Sequence, residues 1–370
     1  MSSLQEKESF VGPKKFQLLR DSRHRSPHAR QLQLAGNSMG IDKGHWDDAS
    51  AVKTPSQESR SAARQEAKER SLNYVLVTPA RNEAAFIERT ITSVAGQTVL
   101  PVRWVIVSDG STDATDEIVR KHAAKCPWIE LVRMPERGER HFAGKVQAFY
   151  AGYKRVRELE YKVIGSLDAD ITFDEEYFGF LLKQFSQDLR LGVAGTPFRE
   201  EGRQYDYRFT SIEHVSGACQ LFRRECFEEI GGYVPIKIGG IDLVAVLTAR
   251  MKGWQTRTFP EKTCIHLRHM GTAKQNALMV AFRGGKGDYM LGGHPLWEFC
   301  RCMYQMTRRP LLLGGMFRLV GFSIAMLNRA EKLVSGELVQ FRRAEQMSRL
   351  RIFFKSFKNM VTERSNPTTT

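Results

Sequence analysis

The sequence predicts an α/β protein with a doubly wound, mixed but mainly parallel sheet, followed by a helical C-terminal region. Two observations carry that reading. From Tyr74 to Leu167, short apolar runs alternate with stretches of helical periodicity, the pattern of successive βαβ units. Three of the runs also end abruptly in polar residues: Pro79-Ala80-Arg81-Asn82-Glu83, Asp109-Gly110-Ser111-Thr112-Asp113 and Asp168-Ala169-Asp170. In a parallel sheet such strand ends share one edge, where open α/β sheets hold their ligands.

The elements follow in order. Tyr74 to Thr78, closed by Pro79, reads as a buried strand. Ala84 to Ala95 carries Phe86, Ile87, Ile91 and Val94 at helical spacing. Trp104 to Val107 is the second strand, and Thr112 or Asp113 caps the helix bearing Ile118 and Val119. Ile129 to Val132, a helix over Gly144 to Leu159, and a strand over Lys162 to Leu167 complete this half. Beyond Phe173 the pattern loosens into a helix (Glu175 to Gln187), a strand (Gly192 to Gly195) and a polar excursion or edge hairpin over 198–209. Gly217 to Phe222 reads as a strand, and Arg224 to Ile230 as a short helix closed by Gly231-Gly232. Gly239-Gly240 opens a helix over Ile241 to Lys252, and Thr256 to Phe259 and Thr263 to His266 are short strands.

Composition sets the limits. The 370 residues, 42% hydrophobic and 26% charged, describe an ordinary globular chain with room for a sizeable core. A net charge of +15 invites an anionic partner: nucleic acid, acidic lipid or a phosphorylated substrate. The six cysteines show neither zinc spacing nor a disulfide framework and read as mostly buried thiols in a reducing compartment. Met1 to Lys15 is polar, without the apolar centre of a cleavable signal. Residues 1–70 read as a disordered or weakly structured basic extension, with a helical lead-in at Ser59 to Arg70 or a tail touching membrane or nucleic acid. A catalytic domain is expected over 71–290 and a helical region over 291–370. In the latter, Pro310 to Asn328 is the most apolar stretch of the chain. Three readings stand open for it: a membrane crossing, an interfacial or re-entrant segment, and a buried helical hairpin. From Leu333 onward the chain is basic and amphipathic, suiting an interfacial helix or a solvated helix packed on the body.

The acids point to chemistry. Side chains two apart on an extended strand face the same way, so Asp168 and Asp170 can converge on one hard divalent cation with phosphate oxygens in its shell. The plain alternative is a turn that caps the next helix. Asp109 suits hydrogen bonding to a base or ribose. Arg81 and Lys145 are candidate diphosphate contacts, the alternative being surface charges.

The succession PARNE, SDGSTD and LDAD, in that order and spacing, resembles the nucleotide-sugar domain of family 2 glycosyltransferases, which have the GT-A fold. The resemblance covers roughly residues 72–270. It implies that Pro79, Arg81, Glu83, Asp109 and Ser111 line the nucleotide pocket, with Asp168 at the ribose and Asp170 on a Mg2+ or Mn2+ ion. It implies an acceptor segment at Ser216-Gly217-Ala218-Cys219 followed by Arg223 to Tyr233, and a general base at Asp242, which takes the acceptor proton as the sugar transfers with inversion. Where the family commonly carries Glu-Asp, this chain has Ile241-Asp242; a helix N-terminal charge is the alternative role for Asp242. His266, or His269, would complete the metal shell. Arg283-Gly284-Gly285-Lys286-Gly287-Asp288 reads as a flexible basic loop that orders over a bound diphosphate.

The Gln-x-x-Arg-Trp motif of processive family members is absent, which favours transfer of one sugar over polymerisation. Basicity and the apolar C-terminal stretch favour an acceptor presented at a membrane: a lipid-linked saccharide or a precursor of cell-surface polysaccharide, met at the cytoplasmic face. A nucleotidyltransferase would carry a glycine-rich phosphate signature near its first strand, and PARNE is not one. A nucleic-acid binder is disfavoured by the lack of a zinc, helix-turn-helix or RNP-like signature.

Overall fold

The computed structural model describes residues 72–136, 142–200, 211–268, 277–308 and 311–365. The basic extension expected over 1–70, residues 201–209 of the polar excursion, and His269 lie outside them. The first half alternates as expected: β1 (Tyr74–Ala80), α1 (Ile87–Ala95), β2 (Arg103–Asp109), α2 (Thr115–Ala123), β3 (Ile129–Met134), α3 (Phe142–Val156) and β4 (Val163–Leu167). Next come β5 (Ile171–Thr172), α4 (Tyr177–Gln187), β6 (Leu191–Gly195), β7 (Phe198–Arg199), β8 (Cys219–Arg223), α5 (Arg224–Glu229), α6 (Ile241–Met251), β9 (Gln255–Thr258) and β10 (Cys264–His266).

Among the described residues the main sheet runs β3-β2-β1-β4-β8-β6-β9. β1 lies parallel to β2 and β4, β2 to β3, and β6 to β9; β8 runs antiparallel to both of its neighbours. The sheet is therefore mixed and mainly parallel. The chain winds outward from β1 to β3 and then returns to β4 on the other side of β1. That reversal opens a crevice at the carboxyl ends of β1 and β4, the ends that carry PARNE and Asp168-Ala169-Asp170.

Strand alternation divides the core between two faces. Tyr74, Leu76, Trp104 and Ile106 pack with α1, α2 and α4 on one face. Val75, Val77, Val105 and Val107 pack with α3, α5 and α6 on the other. All eight are fully buried, as helical cover on both sides of a parallel sheet requires. A smaller sheet, β5-β10-β7, sits beyond β4. Its register pairs His266 with Ile171, the residue after Asp170.

The C-terminal region is helical: α7 (Ala277–Met290), α8 (Pro295–Met306), α9 (Leu313–Leu327) and α10 (Gly336–Ser365). This corrects the expected loop over Arg283 to Asp288, which lies within α7. Its glycines serve close helix packing instead of flexibility. A Cβ on Gly285 would fall 1.9 Å from the Arg318 carbonyl oxygen on α9, and one on Gly321 would fall 2.1 Å from the Phe282 carbonyl oxygen on α7. Among the described residues no helix is long and apolar enough to cross a membrane. The 15 residues of α9 extend about 22 Å, short of the roughly 30 Å hydrocarbon core. The first part of α10 packs on the body through Leu338, Arg342, Gln346 and Leu350, all buried. Arg250 of α6 holds Glu345 through two hydrogen bonds of 2.8 Å.

Candidate active site

The ends of β1 and β2 are tied together by their polar residues. Asn82 adopts φ 55°; its N–H donates to Ser111 Oγ at 3.1 Å, and its Oδ1 accepts from the Thr112 N–H at 2.8 Å. The Glu83 N–H donates to Thr115 Oγ1 at 2.8 Å, and the Ala84 N–H to Asp113 Oδ2 at 3.0 Å. Asp113 also accepts from the Thr115 N–H at 3.0 Å, but the N-cap of α2 is Ala114 rather than the expected Thr112 or Asp113, and it makes no side-chain cap bond. Burial works against ionisation of Asp113, but the hydrogen bonds from Thr115 and Ala84 hold its carboxyl below the usual range. PARNE and SDGSTD thus form one rigid rim. Glu83, Asp109 and Ser111 are buried in it, with Pro79 and Arg81 half-buried beside them.

At the end of β4, the Asp168 N–H donates to the Ala218 carbonyl at 2.9 Å. Asp168, Asp170 and His266 each offer a ligand atom, all within 4.8 Å of one another. His266 Nδ1 donates to the Arg268 carbonyl, so Nε2 is the ring nitrogen turned toward the acids. Nε2 lies 3.7 Å from Asp170 Oδ1. Two carboxylates and an imidazole whose second nitrogen is anchored fit a divalent cation such as Mn2+ or Mg2+.

Two cations balance these acids. Lys145 is ion-paired with Asp168. Arg268 reaches Asp170 Oδ2 with its Nε at 3.2 Å and pairs with Glu83 through Nη2, so it joins the β1 end to the acid pair. Burial pushes the Asp168 carboxyl above its usual range and the nearby Asp170 adds to this, although Lys145 opposes it. Burial also works against the charge on Lys145, but Asp168, Asp242 and Asp170 outweigh it and hold the ammonium above its ordinary value. One lysine therefore senses all three carboxylates.

Asp242 enters from the opposite side. Gly240 takes φ +81°, and a Cβ there would fall 2.6 Å from Leu291 Cδ1. Only glycine satisfies both the left-handed backbone and that contact. The turn starts α6 at Ile241 and puts Asp242 in its first turn. Asp242 then lines a cavity of about 360 Å³ together with Lys145, Asp168, Gly217, Ala218 and His266. Ile241, which stands where the family commonly has an acid, is nearly buried and also lines the cavity.

Of the residues picked out from the sequence, Lys145, Asp168, Gly217, Ala218, Asp242 and His266 therefore share one cavity. Asp170 joins it through His266 and Arg268. Pro79, Arg81, Glu83, Asp109 and Ser111 form the adjoining rim and do not line that cavity.

Sequence reasoning missed Phe142, Ser166, Phe198 and His214 in the lining, and Arg268 beside it, while Ser216 and Tyr233 of the acceptor segment do line the cavity. Burial, with help from Arg250, Arg301 and Arg349, holds the His214 imidazole below its usual range, against the pull of Asp242. The Tyr233 hydroxyl donates to Gln220 Oε1 at 2.7 Å. Burial pushes that phenol well above its usual range. His214 has one signal in the sequence: it stands two residues before the acceptor segment.

Residues 75–231 match the model of Glycosyl transferase family 2. This segment is a family 2 glycosyltransferase domain. It spans β1 to α5 and includes the rim, Asp168-Ala169-Asp170 and Gly217-Ala218; Asp242 and His266 lie beyond it. The chondroitin synthase of Pasteurella multocida is 31% identical over 121 residues, which are 33% of this chain and 12% of that protein. The poly-beta-1,6-N-acetyl-D-glucosamine synthase of Staphylococcus epidermidis is 23% identical over 174 residues, 40% of this chain and 39% of that protein. The chain thus spans well under half the length of these curated relatives. Among solved structures, a mannosyltransferase of Pyrobaculum calidifontis in complex with GDP-Man and Mn2+ is similar. Its TM-score is 0.46 at 17% identity, over 82% of this chain and 91% of that one.

Proposed function

We propose that the family 2 domain transfers a single sugar, with inversion, from a nucleoside-diphosphate sugar to an acceptor hydroxyl. The observation that carries the reading is one cavity holding the Asp242 carboxylate together with Asp168 and His266 of the acid–histidine cluster. In this reading the rim formed by Pro79, Arg81, Glu83, Asp109 and Ser111 receives the nucleotide. Asp168 faces the ribose. Asp170 and His266 hold a divalent cation, Mg2+ or Mn2+, which when bound neutralises charge on the leaving diphosphate. Lys145, drawn into the site by three carboxylates, is placed to move onto a diphosphate oxygen.

The acceptor lies against Gly217 and Ala218. Asp242 removes the proton of its hydroxyl; the oxygen forms a bond to the anomeric carbon from the face opposite the leaving group, and the bond to the diphosphate breaks. The nucleoside diphosphate departs with the electron pair. Asp242 then holds the proton and gives it up to solvent. The neutral imidazole of His214 supplies a hydrogen-bonding wall beside the base.

We infer a catalytic domain over 71–290 and a helical region over 291–370. The acceptor is inferred to be a lipid-linked saccharide or a related precursor of cell-surface polysaccharide, met at the cytoplasmic face of a membrane. The test is a panel of sugar nucleotides with and without Mn2+, reading released nucleoside diphosphate and the mass of the product. Turnover of one donor with addition of one sugar supports the reading. Successive additions would replace single transfer by polymerisation, and absence of binding or turnover of every donor would overturn the enzyme.

A further inference from the structure

We infer that the outer face of α7, α8 and α9 is a docking surface for a bilayer bearing acidic headgroups. The surface is unusual in what it exposes. On α9, Leu313, Met316, Phe317, Val320, Ile324 and Leu327 are all exposed, Leu327 at 76%. Their spacing places them in one stripe along the helix. Gly315, Gly321, Phe322 and Ala325 occupy the opposite, buried side. Leu296, Phe299 and Met303 form a matching exposed row on α8, and Met279 and Val280 are exposed on α7. The helices are held together behind these rows by the close contacts of Gly285, Gly315 and Gly321. An apolar layer of this extent left in water marks an interaction site.

Charge selects the occupant. Within α7, α8 and α9 the acids are Asp288 and Glu298, and both are buried, at 6% and 0% exposure. Asp288 is bonded to Arg342 of α10 at 2.5 Å, and Glu298 is paired with Arg318 at 2.6 Å. Arg301 and Arg318 turn inward to pair with these two acids, and the charged residues that the helices leave exposed are basic: Arg283 and Lys286. Arg283 and Lys286 follow Met279 at helical spacing and share its side of α7. Apolar side chains flanked by cations, with every acid turned inward, match the layering of an acidic leaflet, where acyl chains lie beneath anionic headgroups. A second copy of the same face would set its cations against like charge. The surface deepens the acceptor part of the function proposed above, because a lipid-linked saccharide would be supplied from such a leaflet. Its test does not depend on catalysis.

Flotation of the full chain with phosphatidylcholine vesicles, and with vesicles of equal parts phosphatidylcholine and phosphatidylglycerol, provides that test. Binding to the mixed vesicles is expected to be about tenfold tighter than to the neutral ones and to weaken with salt. Phe317→Ser combined with Val320→Asp should reduce it by about tenfold or more, and Lys286→Glu alone by several-fold. Helix content and donor turnover in solution should stay at the wild-type level, because these side chains are exposed. Equal binding to both vesicle types, or retention by the double variant, would overturn the proposal. So would a concentration-dependent dimer that the double variant dissolves, because it would show a second copy on this face. Failure of donor turnover with vesicle binding intact would count against the enzymatic reading alone.

Discussion

Gly217 packs directly against Asp242. A Cβ added to Gly217 would stand 3.1 Å from Asp242 Cβ and 3.2 Å from its Oδ2. The next residue, Ala218, accepts a hydrogen bond from the Asp168 N–H at 2.9 Å. The acid at the end of β4 and the acid on α6 are therefore spaced by two consecutive residues of the acceptor segment, one of which must be small. Gly217→Ala is expected to push the Asp242 carboxylate aside by a few tenths of an ångström. The turnover number should fall by roughly 10 to 100-fold while the donor KM stays near wild type. Steady-state kinetics with saturating acceptor check this.

The cation cluster gives a second prediction. With His266→Ala, two carboxylates remain but the nitrogen ligand is lost. Mn2+ affinity should drop by about 10 to 100-fold, with transfer restored in part at high Mn2+. Arg268→Gln removes the cation that sits against Asp170 and Glu83. It should tighten Mn2+ binding in the absence of donor by a few-fold. Titration of free Mn2+ by electron paramagnetic resonance separates the two effects.

A third prediction concerns pH and stability. Glu298 is fully buried; burial, reinforced by Asp288 and opposed by Arg318, pushes its carboxyl up to about 7. A carboxyl whose folded pKa is raised binds its proton more readily in the folded state. Its stabilising contribution is fully present below the unfolded value of 4.5 and is lost as pH rises through about 7. Relative to wild type, Glu298→Gln should lack a decline in unfolding free energy of about 1–3 kcal/mol across that window. Urea unfolding followed at a series of pH values measures it.

Helix packing gives a fourth. Gly285→Ala places a methyl group 1.9 Å from the Arg318 carbonyl oxygen, and α7 and α9 must separate to admit it. The expected loss is about 3 kcal/mol, read as a shift in the urea midpoint. Gly231→Ala, which meets no atom within 4 Å, is a control for packing; its left-handed backbone costs about 1 kcal/mol.

The sequence made the sheet and its acids legible because strand, helix and polar end recur with regular spacing from Tyr74 to Asp170. The burial of both sheet faces followed from the same runs. Asp242 was legible for a different reason: Gly240-Ile241-Asp242 stands where the resembled family commonly carries Glu-Asp. His214 gave no periodic signal. It reaches the cavity through tertiary packing around β8, a strand whose antiparallel placement nothing local dictates. Arg268 was hidden for a similar reason, because its partners Glu83 and Asp170 are distant in the chain. The misread stretch was Arg283 to Asp288, where glycines suggested a loop. In the fold they admit the backbone of α9, and the gain from that packing overrides their poor helix propensity.

Asp242→Asn tests the central claim most directly. The amide keeps the size of the side chain and its fit against Gly217 but cannot take a proton. Donor binding measured by calorimetry should stay within about twofold of wild type, while sugar transfer falls by about 10² to 10⁴-fold. Transfer near the wild-type rate, with donor binding unchanged, would contradict the assignment of Asp242 as the base.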